Sequence, residues 1–403
     1  TAPASDPKPS VVADGSAAAA RAALCDRPPA AAPSPVPQEG TVPEAMRGVI
    51  AATERIRGLD FVQPIVPRAV TREGIVEGLG EGFDDYYPRD LYRRRSLAWR
   101  TMGLLAPDES IRRDIATYFA TGVIGYYDSL SGELVYLGNE DPSPGERVTL
   151  AHELVHALDD RTFGIAVIDD RIAACEDEAV QAALAVFEGS ATYYAVRYAE
   201  EELTSDEYDA WRWSGGSSPP VAPFLLAEFR WPYRAGYALV SGLPDADRER
   251  LLADLLTDPP TTTEQVLHPR YPRDRPTPVD VPDRAPALGP GWVDLDVSDA
   301  GESWLAGLLG LRLPGIADAA AAGWDGGIYR AFTDGERVAV ELATAWDSDR
   351  DADEFARAMR EWAGDRPIAV LRDGPRSVRV LFGSDAATRD LLAGAVGDGP
   401  GVP

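Results

Sequence analysis

The sequence predicts an α+β chain: a mainly helical domain with a small sheet, then a smaller C-terminal α+β domain. Three observations carry this. Between residues 43 and 275 apolar residues recur mostly at three- and four-residue spacing, the mark of helices with one buried face. A single alternating stretch, VIGYYDSLSGELVYLG, interrupts them and reads as a hairpin. Beyond a proline-rich linker, from about 276 to 291, the order becomes hairpin, helix, hairpin, helix, which suits a small layered fold.

In chain order, residues 1–42 are rich in Ala and Pro and read as a disordered tail, because PPAAAPSPVP cannot build a core. PEAMRGVIAATERIRGL is a helix with Pro43 in its first turn. FVQPIVPRAV reads as a short strand. TREGIVEGLGEGF, DLYRRRSLAWRTMGLL and SIRRDIATYFATG are helices, and the hairpin follows. SPGERVTLAHELVHALDD is a helix with a clear start: Ser143 caps it, Pro144 takes the first position and Glu146 closes a capping box. A long helix runs from about Glu176 to Glu202. WSGGSSPP breaks the pattern, and VAPFLLAEF, PYRAGYALVSGL and DADRERLLADLL resume it. In the C-terminal domain, 276–403 with its linker, GIYRAFTDGERVAVELAT and PIAVLRDGPRSVRVLFG are the hairpins. SDRDADEFARAMREWAG and DAATRDLLAGAV are the helices.

Composition bounds the function. The net charge is −27, and nucleic-acid binding, which needs a basic stripe, is not expected. Lys8 is the only lysine; an acidic, lysine-poor chain suits high salt, and a GC-rich genome produces the same bias. No apolar run is long enough to span a membrane. The chain begins at Thr1 and reads as trimmed or mature, with an extracytoplasmic location expected. Cys25 and Cys175 are too few to show a disulfide framework. In an oxidising compartment they can pair and tie the tail to the body; otherwise they are two free thiols.

Of three histidines in the chain, two fall in TLAHELVHALDD. His152 and His156 are four apart, so on a helix they share a face and can meet one metal ion. Glu153 beside them is placed to act as general base, completing the H-E-x-x-H arrangement. A catalytic zinc needs a third protein ligand. No further histidine follows closely, so a carboxylate is expected, and Glu188 in AVFEGSATYYA is the best candidate. Gly189 next to it lets another helix approach. Asp159 and Asp160 are rivals, poorly placed because they share the helix of His156. Asp177 and Glu178 fit an acidic helix start instead.

AHELVHALDD followed by a helix carrying FEGSATYY resembles the gluzincins, the thermolysin-like zinc peptidases. More closely, the chain resembles an uncharacterised group of predicted secreted or membrane-anchored prokaryotic metallopeptidases. The shared pieces are YYDSLSGELVYL, RVTLAHELVHALDD, VFEGSATYY, FRWPYRAGYALV and TEQVLHPRYP, over roughly residues 120–275, with a weaker echo in GWDGGIYRAF and ATAWDSDRDADEFA. The resemblance implies a zincin-like domain, Zn2+ as cofactor, Glu188 completing the ligand set, and a peptide or protein substrate. It also implies a carboxylate one helical turn after Glu188, where this chain has Thr192. The acceptor behind a ligand histidine must then be Thr192, another carboxylate or a backbone carbonyl.

With that ligand set, Glu153 takes a proton from the attacking water and hands it to the leaving amine. A donor for the developing oxyanion is still needed. His268 in VLHPRY and Tyr233 in PYRAGY are the candidates, followed by Tyr237, Tyr193 and Tyr194. In zincins an edge strand beside this helix binds substrate as an added strand, a role GELVYLG suits; an ordinary core hairpin is the alternative. The expected function is zinc-dependent peptide hydrolysis. Hydrolysis of a non-peptide amide, or a catalytically silent binding module, are the competing classes.

Overall fold

The computed structural model describes residues 15–397 except 37, 39, 81, 214–217 and 271–272. Residues 1–14 of the expected tail and the expected break at 214–217 lie outside the described residues. The fold is mixed α+β, with a helical body, a three-stranded sheet and a five-stranded sheet.

The small sheet has β1 (Arg68–Val70), β2 (Gly125–Tyr127) and β3 (Leu134–Leu137), in the order β1-β3-β2. β1 runs parallel to β3, and β2 pairs with it antiparallel, forming the expected hairpin. β3 is therefore central and bonded on both sides. It cannot accept an added strand, so the edge-strand role considered for GELVYLG does not fit β3; β1 and β2 are the outer strands.

Beneath this sheet lies the histidine helix, Pro144–Phe163, started by the capping box of Ser143 and Glu146. It packs on the glutamate helix, Asp177–Glu202, which also meets the tyrosine helix, Pro223–Ser241. The last two helices touch at glycines. A Cβ on Gly189 would lie 2.4 Å from the Gly236 backbone, and one on Gly236 would lie 1.8 Å from the carbonyl oxygen of Ala185. Only glycine at both positions permits this approach. Pro232, inside the tyrosine helix, cannot donate to the carbonyl of Glu228. Gln181 Nε2 donates to that oxygen instead, at 3.0 Å, so the kink-prone position is bonded to the glutamate helix.

The large sheet has β4 (Val293–Asp299), β5 (Trp324–Thr333), β6 (Val338–Trp346), β7 (Ile368–Gly374) and β8 (Ser377–Gly383), all antiparallel, in the order β4-β5-β6-β8-β7. The two expected hairpins are β5–β6 and β7–β8. β4, from GWVDLDVSDA, was not expected. Alternation along β5 and β6 buries both faces. Tyr329, Ala331, Val340 and Leu342 join a core with Leu91, Trp99, Phe355 and Met359. Phe332 and Ala339 pack on the last helix, Ala386–Gly397, through Leu392 and Val396. Trp99 belongs to the helix Arg89–Met102, and its indole N–H donates to the Tyr329 hydroxyl at 3.0 Å. The expected boundary near 275 is thus crossed by one apolar core.

Two expectations about irregular segments are corrected. The Ala/Pro-rich stretch does not behave as a free tail from residue 15 onward. Ala17–Leu24 is a helix capped by Ser16, and Ala17 and Ala20 are buried against Val281, Val297, Ile328 and Ala343. Small side chains let this helix lie close on the second face of the large sheet. Arg21 pairs with Asp299, and Cys25 is disulfide-bonded to Cys175. Farther on, the amides of Ser34 and Val36 donate to the carbonyls of Leu130 and Ser131, so the prolines run along the β2–β3 turn. The proline-rich linker is likewise a packed strap. Val281 is buried, and Arg284 bonds the fully buried Glu341 of β6 at 2.9 Å. Composition misleads in both places, because the apolar surface that orders each segment lies far away in sequence.

Candidate metal centre

The histidine and glutamate helices bring His152, His156 and Glu188 together. His152 Nε2 lies 3.2 Å from Glu188 Oε2 and 3.1 Å from His156 Nε2; His156 Nε2 lies 3.4 Å from Glu188 Oε2. Their side chains are 13–16 % exposed, so the three donor atoms face a partly open cleft. Tetrahedral zinc with N and O ligands at about 2.0–2.1 Å requires donor separations of about 3.3–3.4 Å. The triangle fits that requirement to within a few tenths of an ångström.

Electrostatics agree with a cation at this point. Burial opposes the charge on Glu188, but His156 and hydrogen bonds from both histidines outweigh it and hold the carboxyl well below its ordinary range. Burial alone would lower the pKa of His156; Glu188 first, then Glu153 and Asp159, push it up to about 9. The cluster attracts positive charge, as a proton or as a metal ion.

Glu153 points the same way. It is 8 % exposed, and burial raises its pKa, partly countered by the two histidines. The backbone N–H of Tyr127 in β2 donates to its carboxylate. Gly125, at the other end of β2, presses on it: a Cβ there would lie 3.2 Å from Glu153 Cγ. β2, an outer strand, therefore lies directly over Glu153. A glycine inside a strand is the sequence signal for such close approach.

Tyr233 follows Pro232 on the tyrosine helix and stacks on His152, with ring centres 6.0 Å apart and planes 19° from parallel. The residue is 40 % exposed, but its hydroxyl hydrogen-bonds Glu188 within the cleft; desolvation there first, then the Glu188 charge, raise its pKa above the usual phenol value. Tyr118, which sequence reasoning missed, is raised by burial and by the same carboxylate. Nothing in the local sequence of SIRRDIATYFATG signals that position. Glu188, Tyr118 and Tyr233 line a cavity of about 340 Å³ that runs inward past Leu184 and Phe229 to Gln181 and Glu228.

The remaining candidates are placed elsewhere. Asp159 is fully buried, bonded by Arg57 at 2.8 Å and Ser190 at 2.6 Å, and Asp160 accepts from the Tyr127 hydroxyl at 2.9 Å. Neither belongs to the donor group. Thr192 Oγ1 is buried without a partner, so it is not the acceptor behind a ligand histidine. Tyr194 donates to Glu249, and Tyr193 packs under Arg248 and against Tyr237.

His268 requires a correction. It ends the short helix Thr263–Leu267, where its Nε2 lies 3.0 Å from Glu302 Oε1. That helix docks on the start of the glutamate helix, where the Thr263 amide donates to Glu178 at 2.6 Å. Glu178 precedes Glu188 by ten residues, about 15 Å of helix. His268 is therefore not brought to the donor triangle, and the oxyanion role expected of it is withdrawn.

A family described as a domain of unknown function, DUF8575, matches residues 298–387. The match covers most of the large sheet and includes none of the donor residues. No curated protein and no solved structure matches the chain. Among the described residues, no helix is long and apolar enough to cross a membrane.

Proposed function

We propose that this protein is a zinc-dependent peptidase of zincin-like architecture that works outside the cytoplasm. The observation that carries the reading is the conjunction at one cleft: a donor triangle of zinc dimensions, a buried carboxylate next to it, and an outer strand that lies over that carboxylate and holds it by the Tyr127 amide. A binding module has no need of the second and third. The Cys25–Cys175 disulfide supports an oxidising compartment.

His152, His156 and Glu188 would hold the ion. Zinc in that position supplies a Lewis acid and lowers the pKa of a water. Glu153, with its pKa already raised by burial, accepts the proton of the attacking water and returns it to the leaving amine. The Tyr127 amide keeps that carboxylate oriented. Tyr233, still protonated at neutral pH, would turn its one hydroxyl proton from Glu188 to the oxygen of the tetrahedral intermediate. An extended peptide aligned on the edge of β2 would place its scissile carbonyl over Glu153, and the adjoining cavity has room for one side chain.

The test is metal analysis of the purified protein, with peptide-library cleavage by wild type and by Glu153→Gln. Stoichiometric zinc with cleavage only by wild type is expected. Zinc without cleavage would leave a metal-binding module, and absence of zinc would remove the reading.

A further inference from the structure

The molecule gathers acidic side chains at a second place, away from the histidines. We propose that Glu264, Asp274 and Asp347 form a calcium site that ties the helix Thr263–Leu267 and Asp274 to the end of β6. Each contributes a carboxylate oxygen, and these oxygens lie within 4.8 Å of one another. Three oxygens so grouped can share one calcium ion at about 2.3–2.6 Å.

Three acidic groups on a surface would mean little, but Glu264 is not on the surface. Its residue is 8 % exposed, and among the described residues no hydrogen-bond donor or cation reaches its carboxylate. Its carboxylate has no partner there but is not wholly enclosed, and it lies beside the exposed carboxylates of Asp274 and Asp347. Burial first, then Asp347, Glu302, Asp274 and Asp325, push its pKa up to about 8. The cations nearby do not compensate. Arg270 comes only within 3.8 Å of Asp274, Arg273 is turned to Asp258, and His268 is held by Glu302. Between Glu264, His268 and Asp274 lies a cavity of about 10 Å³, room for a single water-sized particle.

The donor set selects the ion. It is all oxygen, with no thiolate, and the one imidazole nearby is engaged, so a hard cation is indicated rather than zinc. Magnesium is usually held by one or two carboxylates and keeps several waters, whereas three carboxylates around one point suit calcium. The three donors come from separate segments: the helix 263–267, the loop following it, and the turn between β6 and the helix Asp349–Ala363. An ion there fixes the helix whose Thr263 bonds Glu178, at the start of the glutamate helix.

The experiment uses the full, zinc-loaded chain in calcium-free buffer, titrated with calcium chloride and followed by calorimetry and thermal melting. One calcium per chain and a rise in Tm of about 2–5 °C are expected, with a smaller response to magnesium. Glu264→Gln and Asp347→Asn should lose the response while keeping their zinc. Because Glu264→Gln removes a charge that lacks a partner, it should melt no earlier than the parent in calcium-free buffer. His152→Ala should keep the response. Wild type that binds no calcium, a response that survives both acidic substitutions, or a response lost in His152→Ala would each overturn the proposal.

Discussion

The two acidic-ligand clusters are built on different principles. His152, His156 and Glu188 project from the middles of two long helices, and the histidine spacing is set by one helical turn. Glu264, Asp274 and Asp347 come from a five-residue helix, a loop and a turn. The first cluster rests on buried apolar neighbours, Leu154 and Val155 on the histidine helix and Val186 and Phe187 on the glutamate helix. In the second, the short helix packs chiefly on the glutamate helix, and only Asp347 adjoins the large sheet, at the end of β6. A helix-borne cluster is the better preorganised of the two, as the proposed catalysis requires. The second would gain order from the proposed ion.

The largest expected effect breaks the symmetry between them. Glu153→Gln should lower turnover by at least about 10²–10⁴-fold while zinc and the calcium response both persist. Retained activity would remove Glu153 from the mechanism. Tyr233→Phe comes next. Losing one oxyanion donor should cost about 10²–10³-fold in kcat, with KM little changed. A mutant affected chiefly in KM would instead make Tyr233 a ground-state contact.

Stability effects separate the clusters further. Gly236→Ala forces a methyl group into the Ala185 carbonyl, so the helices must separate; a loss of about 3 kcal/mol or more is expected, with weakened zinc retention. Unchanged zinc affinity would show that the donor triangle does not depend on that crossing. Reducing the Cys25–Cys175 disulfide, or replacing both cysteines by serine, should cost about 2–5 kcal/mol in chemical denaturation.

The smallest effect is a pH dependence. The folded-state pKa of Glu264 is raised to about 8, above its ordinary value. Its contribution is therefore full at low pH, below the unfolded value, and is lost as pH rises toward about 8. In calcium-free buffer wild type should lose Tm between about pH 5 and pH 8 more than Glu264→Gln does. Calcium should remove that difference. Parallel pH profiles for the two proteins would mean that Glu264 is not a stressed charge.

Much of the helical body is legible from one sequence because its signals are local. Ser143, Pro144 and Glu146 announce the start of the histidine helix, and periodicity carries it through His156. Glu188 is legible by a different route, as the glutamate on the helix that a third ligand requires. The two C-terminal hairpins follow from alternation and from the turn at Asp334, whose carboxylate accepts from the amides of Glu336 and Arg337. Where the reading misses, the deciding partner is distant. Ala17 and Ala20 are ordered by Ile328 and Ala343, some three hundred residues away.

By itself, then, the sequence determined the histidine helix, the spacing of His152 and His156, Glu153 next to them and the hairpins, because each depends on neighbours within a turn or two of chain. Only the tertiary structure decided which strands are outer, that His268 pairs with Glu302 rather than facing the cleft, that Tyr118 joins Tyr233 around Glu188, and that Glu264 meets Asp274 and Asp347. Those outcomes depend on how whole elements dock. Docking is set by apolar area and close helix contacts, summed over residues far apart in the chain, and no short window of sequence contains that sum.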